Sequence, residues 1–432
     1  MTALSELELA GPRPLTGRLR MPGDKGISHR AFLVAALADG PSTIARLAPG
    51  DDVARTRAAI EQLGVGVRDA PDGSVVVTGA GAAALREPKS VIDCGNSGST
   101  LRMLTGLLAG RGFLSVLTGD SSLVTRPMRR VVDPLRAMGA HIDGRDGGEH
   151  APLVVRGGEL TGARAELEVP SGQVKTALVL AGLQASGQTE IVEPAPSRDH
   201  TERMLGALGA PIERINDRTL RVDAGAPSPF VLEVPGDPSS ASFFVVAALI
   251  TPGSDLVLED VCLNPGRIAF VDVLRNMGAQ IEIEEHGERV GEPVGDLRVV
   301  ASPLKATMIA CEEAIIDEVP ALAIAAAFAD GVTEIRDAAE LRLKESDRIA
   351  ALEQELTELG VGIEETTDGL IVRGGHPRAG TLKSHGDHRV AMAAAIAANA
   401  MEGESRVRGW SAVVVSYPAF AEDLAAATGD GP

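Results

Sequence analysis

The feature that most constrains the fold of this chain is an internal repeat of about seventy residues. A polar loop, an Ala- and Leu-rich segment and a glycine-led β-branched run recur six times along 432 residues. The glycines that end the apolar segments differ by 72, 75, 66, 78 and 72 positions, and they are Gly40, Gly112, Gly187, Gly253, Gly331 and Gly403. This period predicts six equivalent units, each with a helix after its polar loop.

A second pattern predicts another helix and strand in each unit. LGVGV, MGAHI, LGAPI, MGAQI and LGVGI each follow an amphipathic stretch, which places the first glycine as a helix C-cap before a strand. The sixth copy of this helix, residues 420–427, has no strand after it. We therefore expect the strand near residues 6–9 to complete the sixth unit.

The two chain ends are thus expected to share one domain. That domain would hold residues 1–22 and 236–432 with units four to six, and an inserted domain would hold residues 23–235 with units one to three. The crossings would fall near Pro22-Gly23 and Pro235-Gly236, and Pro-Gly pairs suit hinges. A linear solenoid also fits the spacing, but it gives no reason for the last unit to lack a strand.

The composition disfavours nucleic-acid binding and membrane insertion. Lys and Arg total 41 against 60 Asp and Glu, the net charge is −19, and only 2% of residues are aromatic. The longest apolar stretches are about half of the ~20 residues that a membrane span needs. Residues 1–20 lack the apolar run of a secretory signal. The three widely spaced cysteines indicate a reducing compartment, which predicts a cytoplasmic protein.

Cations cluster in and near the loops that precede the predicted helices. A helix N-terminus presents unpaired N–H groups and a partial positive charge, so such a loop is a natural anion site. In an acidic chain, this arrangement favours a small ligand with several negative charges. The cations at these helix starts are Lys25, Arg30, Arg102, Lys175 and Arg389, and those in other loops or early turns are Arg126, Arg198, Lys344 and Arg348.

Two carboxylates stand out among these cations. Asp317 ends a predicted strand, and Glu345 lies between Lys344 and Arg348. A carboxylate among cations suits a base, whereas a proton donor needs a neighbour or a ligand phosphate that raises its pKa. An N-cap or ion-pair role is the alternative for both residues. The histidines show no metal-ligand spacing, so neither a metal nor a cofactor is expected.

Eight segments match the motifs of one family in order and spacing. They are PGDKGISHRA, GNSGSTLRML, TGDSSLVTRPM, PSGQVKTAL, RDHTE, PGDPSSAS, LRLKESDR and GDHRVAM. On these motifs, the chain resembles the 5-enolpyruvylshikimate-3-phosphate synthase (3-phosphoshikimate 1-carboxyvinyltransferase) family of enolpyruvyl transferases over nearly its whole length. The resemblance implies an α/β (α+β) fold, a two-domain inside-out α/β barrel of six βαβαββ repeats, three per domain, that closes on its ligands.

The resemblance also implies a transferase of the shikimate pathway, which leads to chorismate and the aromatic amino acids. The 5-hydroxyl of shikimate 3-phosphate would attack C2 of phosphoenolpyruvate, and the tetrahedral adduct would expel phosphate. The expected ligands are these two substrates and the inhibitor glyphosate, and the expected state is a monomer. Gly98 leaves room for glyphosate, whereas the GDK, RDHTE and Ser-small-Gln-x-Lys segments resemble the subgroup associated with tolerance.

Roles follow from the resemblance residue by residue. The residues implied to bind shikimate 3-phosphate are Lys25, Arg30, Ser171, Gln173, Arg198, Asp317 and Lys344. Those implied to bind phosphoenolpyruvate are Lys25, Asn96, Gly98, Arg126, Gln173, Arg348 and Arg389. Asp317 would take the hydroxyl proton, Glu345 would protonate the methylene carbon, and Lys25 would touch both ligands. An acid and a base are both needed because C2 becomes electrophilic only when C3 gains a proton.

Four positions depart from the commoner family pattern. Gly26 stands where a Ser is usual, Gly172 where a Ser or Ala is usual, Glu340 where an Asn is common, and Val415 where a Lys is common. These departures leave open a non-catalytic or diverged anion-binding paralogue of the same fold. The sister enolpyruvyl transferase that acts on UDP-N-acetylglucosamine carries a mobile-loop cysteine, which residues 119–128 lack.

Overall fold

A computed structural model describes residues 5–311 and 314–429, so the outermost residues of the expected terminal domain, 1–4 and 430–432, lie outside the described residues. The described chain divides into two compact units. The terminal unit takes in the described residues of Met1–Pro22, Pro235–Gly287 and Pro293–Pro432. The inserted unit takes in Gly23–Val234 and Glu288–Glu292.

The described residues contain twelve α-helices and 23 β-strands. The helices are α1 Lys25–Leu37, α2 Asp51–Gln62, α3 Gly98–Ala109, α4 Arg129–Ala137, α5 Gly172–Gly182, α6 His200–Ala207, α7 Pro238–Ile250, α8 Pro265–Asn276, α9 Val319–Ala327, α10 Arg348–Glu358, α11 His388–Ala400 and α12 Phe420–Ala427. The strands are β1 Glu6–Gly11, β2 Thr16–Arg20, β3 Asp39–Ala45, β4 Gly66–Asp69, β5 Val75–Ala80, β6 Ile92–Asp93, β7 Leu114–Thr118, β8 His141–Arg145, β9 His150–Arg156, β10 Arg164–Glu166, β11 Thr189–Val192, β12 Ile212–Asn216, β13 Thr219–Val222, β14 Val231–Glu233, β15 Asp255–Cys262, β16 Gln280–Arg289, β17 Glu292–Val300, β18 Met308–Ala310, β19 Val332–Arg336, β20 Gly362–Thr366, β21 Gly369–Arg373, β22 Thr381–Lys383 and β23 Gly403–Arg408.

The strands form six sheets, which confirms the prediction of six units. Five sheets have four strands in the described part of the chain, in the orders β14-β3-β5-β4, β6-β7-β9-β8, β10-β11-β13-β12, β16-β17-β15-β2 and β18-β19-β21-β20. The sixth has the order β1-β23-β22. In each four-stranded sheet, two parallel strands adjoin an antiparallel pair, which is the βαβαββ arrangement implied by the resemblance.

Where the chain crosses between the units, two strands pair with a strand that is distant in sequence instead of with the strand of the next repeat. Strand β2 precedes α1 in sequence but pairs in parallel with β15, which follows α7. Strand β14 precedes α7 but pairs in parallel with β3, which follows α1. The sheets of each unit are therefore built from strands of that same unit, β2 in the terminal unit and β14 in the inserted unit. The repeat pattern alone did not indicate these two pairings.

The N-terminal strand β1 supplies the strand that the sixth unit lacks, as predicted. It runs antiparallel to β23, with Leu7 opposite Val407 and Leu9 opposite Ser405. Both leucines pack against the hydrophobic core of the terminal unit. The periodicity identified this non-local pairing because it showed which unit has no strand after its second helix.

Deleting residues 1–11 is expected to lower the free energy of unfolding by about 3 kcal/mol or more, because Leu7 and Leu9 lose their apolar contacts and β23 loses a neighbour. Chemical denaturation followed by circular dichroism measures the change. The control variant Glu8→Gln removes only a surface ion pair with Arg406 and should change stability by less than about 1 kcal/mol. A deletion variant as stable as the wild type would contradict the role of β1.

The first helix of each unit is buried and begins at one of the polar motifs. In the terminal unit, α7, α9 and α11 contact one another and are buried around almost their whole circumference. In the inserted unit, α3 contacts α1 and α5. A Cβ on Gly106 would lie 2.1 Å from the carbonyl oxygen of Ala177, so glycine permits the close approach of α3 and α5.

Side-chain caps fix the starts of five of these six helices. A carboxylate or hydroxyl oxygen accepts a backbone N–H in the first turn, which satisfies one of the unpaired donors there. The capping residues are Asp24, Ser97, Ser171, Asp237 and Asp387. The caps place the neighbouring motif residues at helix N-termini. Among the described residues, no helix has both the length and the apolar character needed to cross a bilayer.

Candidate functional site

Two guanidinium groups lie beside the N-terminus of α3 in the inserted unit. Gly98 is the first residue of this helix, and a Cβ placed on it would lie 3.0 Å from Nη1 of Arg102 and 3.4 Å from Nη1 of Arg126. The backbone N–H groups of the first turn and the helix dipole add to the positive potential. The arrangement can bind a carboxylate or a phosphate, and any side chain larger than hydrogen at residue 98 would reduce the room for it.

Amide side chains orient these two arginines. Arg126 donates from Nη2 to Oδ1 of Asn96 at 2.7 Å, and Asn96 donates to Asp120, also at 2.7 Å. Arg102 donates from Nη1 to Oε1 of Gln173 at 2.7 Å. The set is called the guanidinium cluster below and consists of Asn96, Gly98, Arg102, Arg126 and Gln173. The sequence placed Arg102 among the cations at helix starts, but the family resemblance assigned it no ligand, although its position one helical turn after Gly98 could have indicated one.

Lys25 opens helix α1, next to the Asp24 cap. Its ammonium group pairs with the Asp52 carboxylate at 3.0 Å, and about a quarter of the side chain is exposed. Asp52 is mostly buried. Asp52 therefore fixes the position of Lys25 at a helix N-terminus, where part of the lysine side chain stays accessible to solvent. In return, the ammonium group of Lys25 offsets the negative charge of the Asp52 carboxylate.

Arg30 donates more hydrogen bonds to acceptors within the protein than the sequence predicted. Four of its five N–H donors bond to the carbonyl oxygens of Gly26 and Gly172 and to the hydroxyls of Thr176 and Thr201, at 2.7 to 3.1 Å. Burial lowers the pKa of its guanidinium to about 10. Its predicted contact with a ligand carboxylate would have to use the remaining donor on Nη1.

Arg198 lies beside the N-terminus of α5, where Ser171 caps the helix by accepting the Val174 N–H at 3.4 Å. A Cβ on Gly172 would lie 3.1 Å from Cβ of Arg198 and 3.2 Å from its carbonyl oxygen. The departure to glycine at residue 172 thus permits close packing of the Arg198 loop. At the other departure, a Cβ on Gly26 would lie 3.1 Å from the Asp24 cap.

Lys175, counted by the sequence among the anion-binding cations, is fully buried in an ion cluster instead. Its ammonium group lies 2.9 Å from both Glu193 and Glu202 and 3.2 Å from the carbonyl oxygen of Ser197. The ammonium group donates hydrogen bonds to Glu193 and to the Ser197 carbonyl, and Glu202 adds a second carboxylate as an ion-pair partner. Lys175 is therefore unable to bind an anion directly, and that expectation was wrong.

In the terminal unit, three cations surround the Asp317 carboxylate. Lys344 lies 3.8 Å from it, Arg348 3.6 Å and Arg389 3.8 Å. Arg389 also donates to the Asp317 backbone carbonyl at 2.8 Å. With Glu345, these residues are called the carboxylate cluster below. The three cations stabilise Asp317 as a negatively charged group, which is the form that a general base needs.

Arg348 is the buried centre of the carboxylate cluster. It donates to Asp387 at 2.8 Å and to Glu345 at 2.7 Å, and its side chain is only 1% exposed. Burial alone would lower the pKa of this guanidinium, but the carboxylates of Glu345, Asp387 and Asp317 raise it above its ordinary value. Burial would likewise raise the pKa of Asp387, yet Arg348 and His388 hold it below its ordinary range. The pair is thus permanently ionised.

Two of the family departures also lie in the terminal unit. Glu340 pairs with Lys344 at 3.0 Å, a shorter distance than the 3.8 Å between Lys344 and Asp317. Lys344 is therefore shared between two carboxylates. Val415 ends a short 3₁₀ helix, Trp410–Val415, and contributes no charge where a lysine is common.

The structure groups the predicted site residues into one set in each unit. The inserted unit holds Lys25, Arg30, Asn96, Gly98, Arg126, Ser171, Gln173 and Arg198. The terminal unit holds Asp317, Lys344, Glu345, Arg348 and Arg389, which form one contact network. Contact of these residues with ligand stays a prediction.

Comparison with known proteins gives one consistent match. A family model described as EPSP synthase (3-phosphoshikimate 1-carboxyvinyltransferase) matches residues 9–424. A 3-phosphoshikimate 1-carboxyvinyltransferase of Desulforudis audaxviator is 49% identical over 97% of this chain and 98% of its own length. One from Roseiflexus castenholzii is 50% identical over 95% and 97%. The solved structure of EPSP synthase from Acinetobacter baumannii has a TM-score of 0.88 at 38% identity and covers 98% of each chain.

Proposed function

Because this chain belongs to the EPSP synthase family, we propose that its two residue clusters carry out the transfer of the enolpyruvyl group from phosphoenolpyruvate to shikimate 3-phosphate. The observation that carries the proposal is the placement of Asp317 among Lys344, Arg348 and Arg389, with Glu345 on Arg348. One network thus offers a charged base, a second carboxyl group and several cations. This function places the protein in the biosynthesis of the aromatic amino acids.

In the proposed mechanism, a proton adds to C3 of phosphoenolpyruvate while the 5-hydroxyl of shikimate 3-phosphate bonds to C2. Asp317 accepts the hydroxyl proton, and Glu345 donates the proton to C3. The Glu345 carboxylate then takes a proton back from the new methyl carbon of the tetrahedral adduct, and the C2–O bond to phosphate breaks as the leaving phosphate receives the proton held by Asp317. Inorganic phosphate leaves and the enol ether remains. The cations stabilise the phosphate and carboxylate charges at each stage.

The inserted unit would provide most of the anion recognition. In the guanidinium cluster, Arg102 and Arg126 beside the α3 N-terminus suit the carboxylate or phosphate of phosphoenolpyruvate. Ser171, Gln173 and Arg198 would bind shikimate 3-phosphate at the start of α5, and Lys25 would contact both substrates. Arg30 would use its remaining N–H donor for the shikimate carboxylate, while Lys344, Arg348 and Arg389 would add contacts from the terminal unit.

We further propose a cytoplasmic monomer for which glyphosate is a candidate inhibitor competing with phosphoenolpyruvate. The three cysteines Cys94, Cys262 and Cys311 are buried thiols, which suits a reducing compartment. The small residue at Gly98 supports inhibitor access to the guanidinium cluster. Sedimentation analysis should give a single species of about 45 kDa, the mass of one 44.6 kDa chain.

A phosphate-release assay tests the function against the alternative of a non-catalytic anion-binding paralogue. The purified protein should release phosphate only when both substrates are present, and mass spectrometry should detect the enolpyruvyl product. The Asp317→Ala variant should be strongly impaired because the reaction loses its proposed base. Wild-type activity no higher than that of this variant would favour the paralogue.

A further inference from the structure

The buried ion cluster around Lys175 joins helix α5 to both ends of the loop that carries Arg198. Glu193 immediately follows β11, and Glu202 lies in the first turn of α6. Lys175 pairs with both carboxylates and also bonds to the carbonyl of Ser197, the residue before Arg198. The loop is thus held at its start, at its end and next to Arg198.

Further hydrogen bonds reinforce the same loop. The Ser197 hydroxyl donates to Glu193. Glu202 also pairs with Arg214 at 2.7 Å, and the Glu193 backbone N–H donates to the carbonyl of Arg218 at 2.8 Å. The loop therefore bonds to α5 through Lys175 and to the β12–β13 hairpin through Arg214 and Arg218.

The burial of these charges is hard to explain by stability alone. Lys175 is 0% exposed, and the Glu193 and Glu202 side chains are 4% and 7% exposed. Desolvating such groups costs free energy that their mutual attraction only roughly repays, so apolar residues would often stabilise a protein as well. What an ion cluster adds is direction, because the ammonium group donates to the Glu193 carboxylate and to the Ser197 carbonyl while it pairs with Glu202.

We propose that Lys175 is a positioning residue for substrate binding. By fixing the Ser197 carbonyl and the two flanking glutamates, it holds Arg198 against the N-terminus of α5, beside Gly172. Arg198 then meets shikimate 3-phosphate already oriented, and binding does not have to order its loop. Lys175 itself touches no ligand, since its ammonium group is fully buried and paired with two carboxylates. This inference rests on the binding role of Arg198 in the proposed function.

The Glu193→Gln variant tests the positioning role. It keeps the size of the side chain but removes its negative charge, which weakens the ion pair with Lys175 and the hydrogen bond from Ser197. The loop that carries Arg198 therefore gains mobility. We expect KM for shikimate 3-phosphate to rise about tenfold, which corresponds to about 1.4 kcal/mol, with kcat and KM for phosphoenolpyruvate within about twofold of the wild type. Calorimetric titration of shikimate 3-phosphate into the protein should show the same weakening without turnover.

Glu190→Gln is the matched control, because Glu190 lies on β11 and its carboxylate pairs with the surface residue Arg164. Its KM values should equal those of the wild type. The positioning role is wrong if Glu193→Gln lowers the melting temperature but leaves the affinity for shikimate 3-phosphate unchanged. It is also wrong if the variant weakens the binding of both substrates equally.

A second variant covers the case in which Glu193→Gln does not fold. Ser197→Ala removes only the hydroxyl bond to Glu193, and it should raise KM for shikimate 3-phosphate about threefold. An unchanged KM would overturn the proposal. Failure of the wild type to release phosphate would instead count against the proposed function, so the two failures are distinguishable.

Discussion

The Glu345→Gln variant is expected to turn over about 10³-fold more slowly than the wild type, with little change in either KM. In the wild type, Arg348 lies 2.7 Å from the Glu345 carboxylate. Glutamine keeps the shape of the side chain and a contact with Arg348, but it has no acidic proton to give to C3. General acid catalysis typically contributes about 10² to 10⁴ in rate. The fold should persist because Asp387 still pairs with the buried Arg348. Single-turnover measurement of phosphate release provides the rate.

The physical basis of this role is competition for Arg348. In the free protein, Arg348 favours the charged carboxylate of Glu345. An anionic substrate that binds Arg348 would weaken this hold, and a nearby phosphate would favour protonation of the carboxyl group. Glu358→Gln, at the exposed end of α10, is the control and should be fully active. A Glu345→Gln variant that retained more than a third of wild-type kcat would exclude Glu345 as the proton donor.

The Lys25→Ala variant is expected to lose more than about 100-fold in kcat/KM, equivalent to about 2.7 kcal/mol of transition-state stabilisation. Two effects act in the same direction. The substrates lose a charge-assisted contact at the α1 N-terminus, and Asp52 loses its ammonium partner 3.0 Å away. The mostly buried Asp52 carboxylate would then repel both anionic substrates.

A double variant separates these two effects. Adding Asp52→Asn to Lys25→Ala removes the repulsion but not the lost contact, so it should restore only part of the activity. Lys89→Ala, an exposed lysine in the same unit, should stay within about twofold of the wild type. A loss under threefold for Lys25→Ala would contradict its placement in the binding site.

The local parts of the fold were predictable because their causes are local. The six helix starts lie at polar motifs whose Asp or Ser side chains cap the helix in five cases. The role of β1 was predictable because the other units each have a strand after their second helix, whereas no strand follows α12. The carboxylate cluster was also predictable in part, since Lys344, Glu345 and Arg348 lie within five residues of one another.

The site residues that the sequence misjudged depend on distant contacts. Lys175 appeared to be one more cation near a helix start, but its partners Glu193 and Glu202 are 18 and 27 residues further along the chain. The family resemblance gave Arg102 no ligand, and its contact with Gln173 joins residues of two different helices. Residue type shows that a charge is present, but only packing decides whether a ligand or the protein itself neutralises it.

Four features follow from the amino-acid sequence alone: the number of units, the positions of the buried helices, the source of the sixth unit's extra strand and the presence of cations at helix starts. Periodicity and capping encode these features within each repeat. Three other features became clear only from the three-dimensional contacts: the pairing of β2 with β15 and of β14 with β3, the neutralisation of Lys175 inside the protein, and the use of most Arg30 donors by protein acceptors. These features depend on pairings between segments far apart in sequence, and the free energy of each pairing is set by the burial and geometry that the whole fold creates.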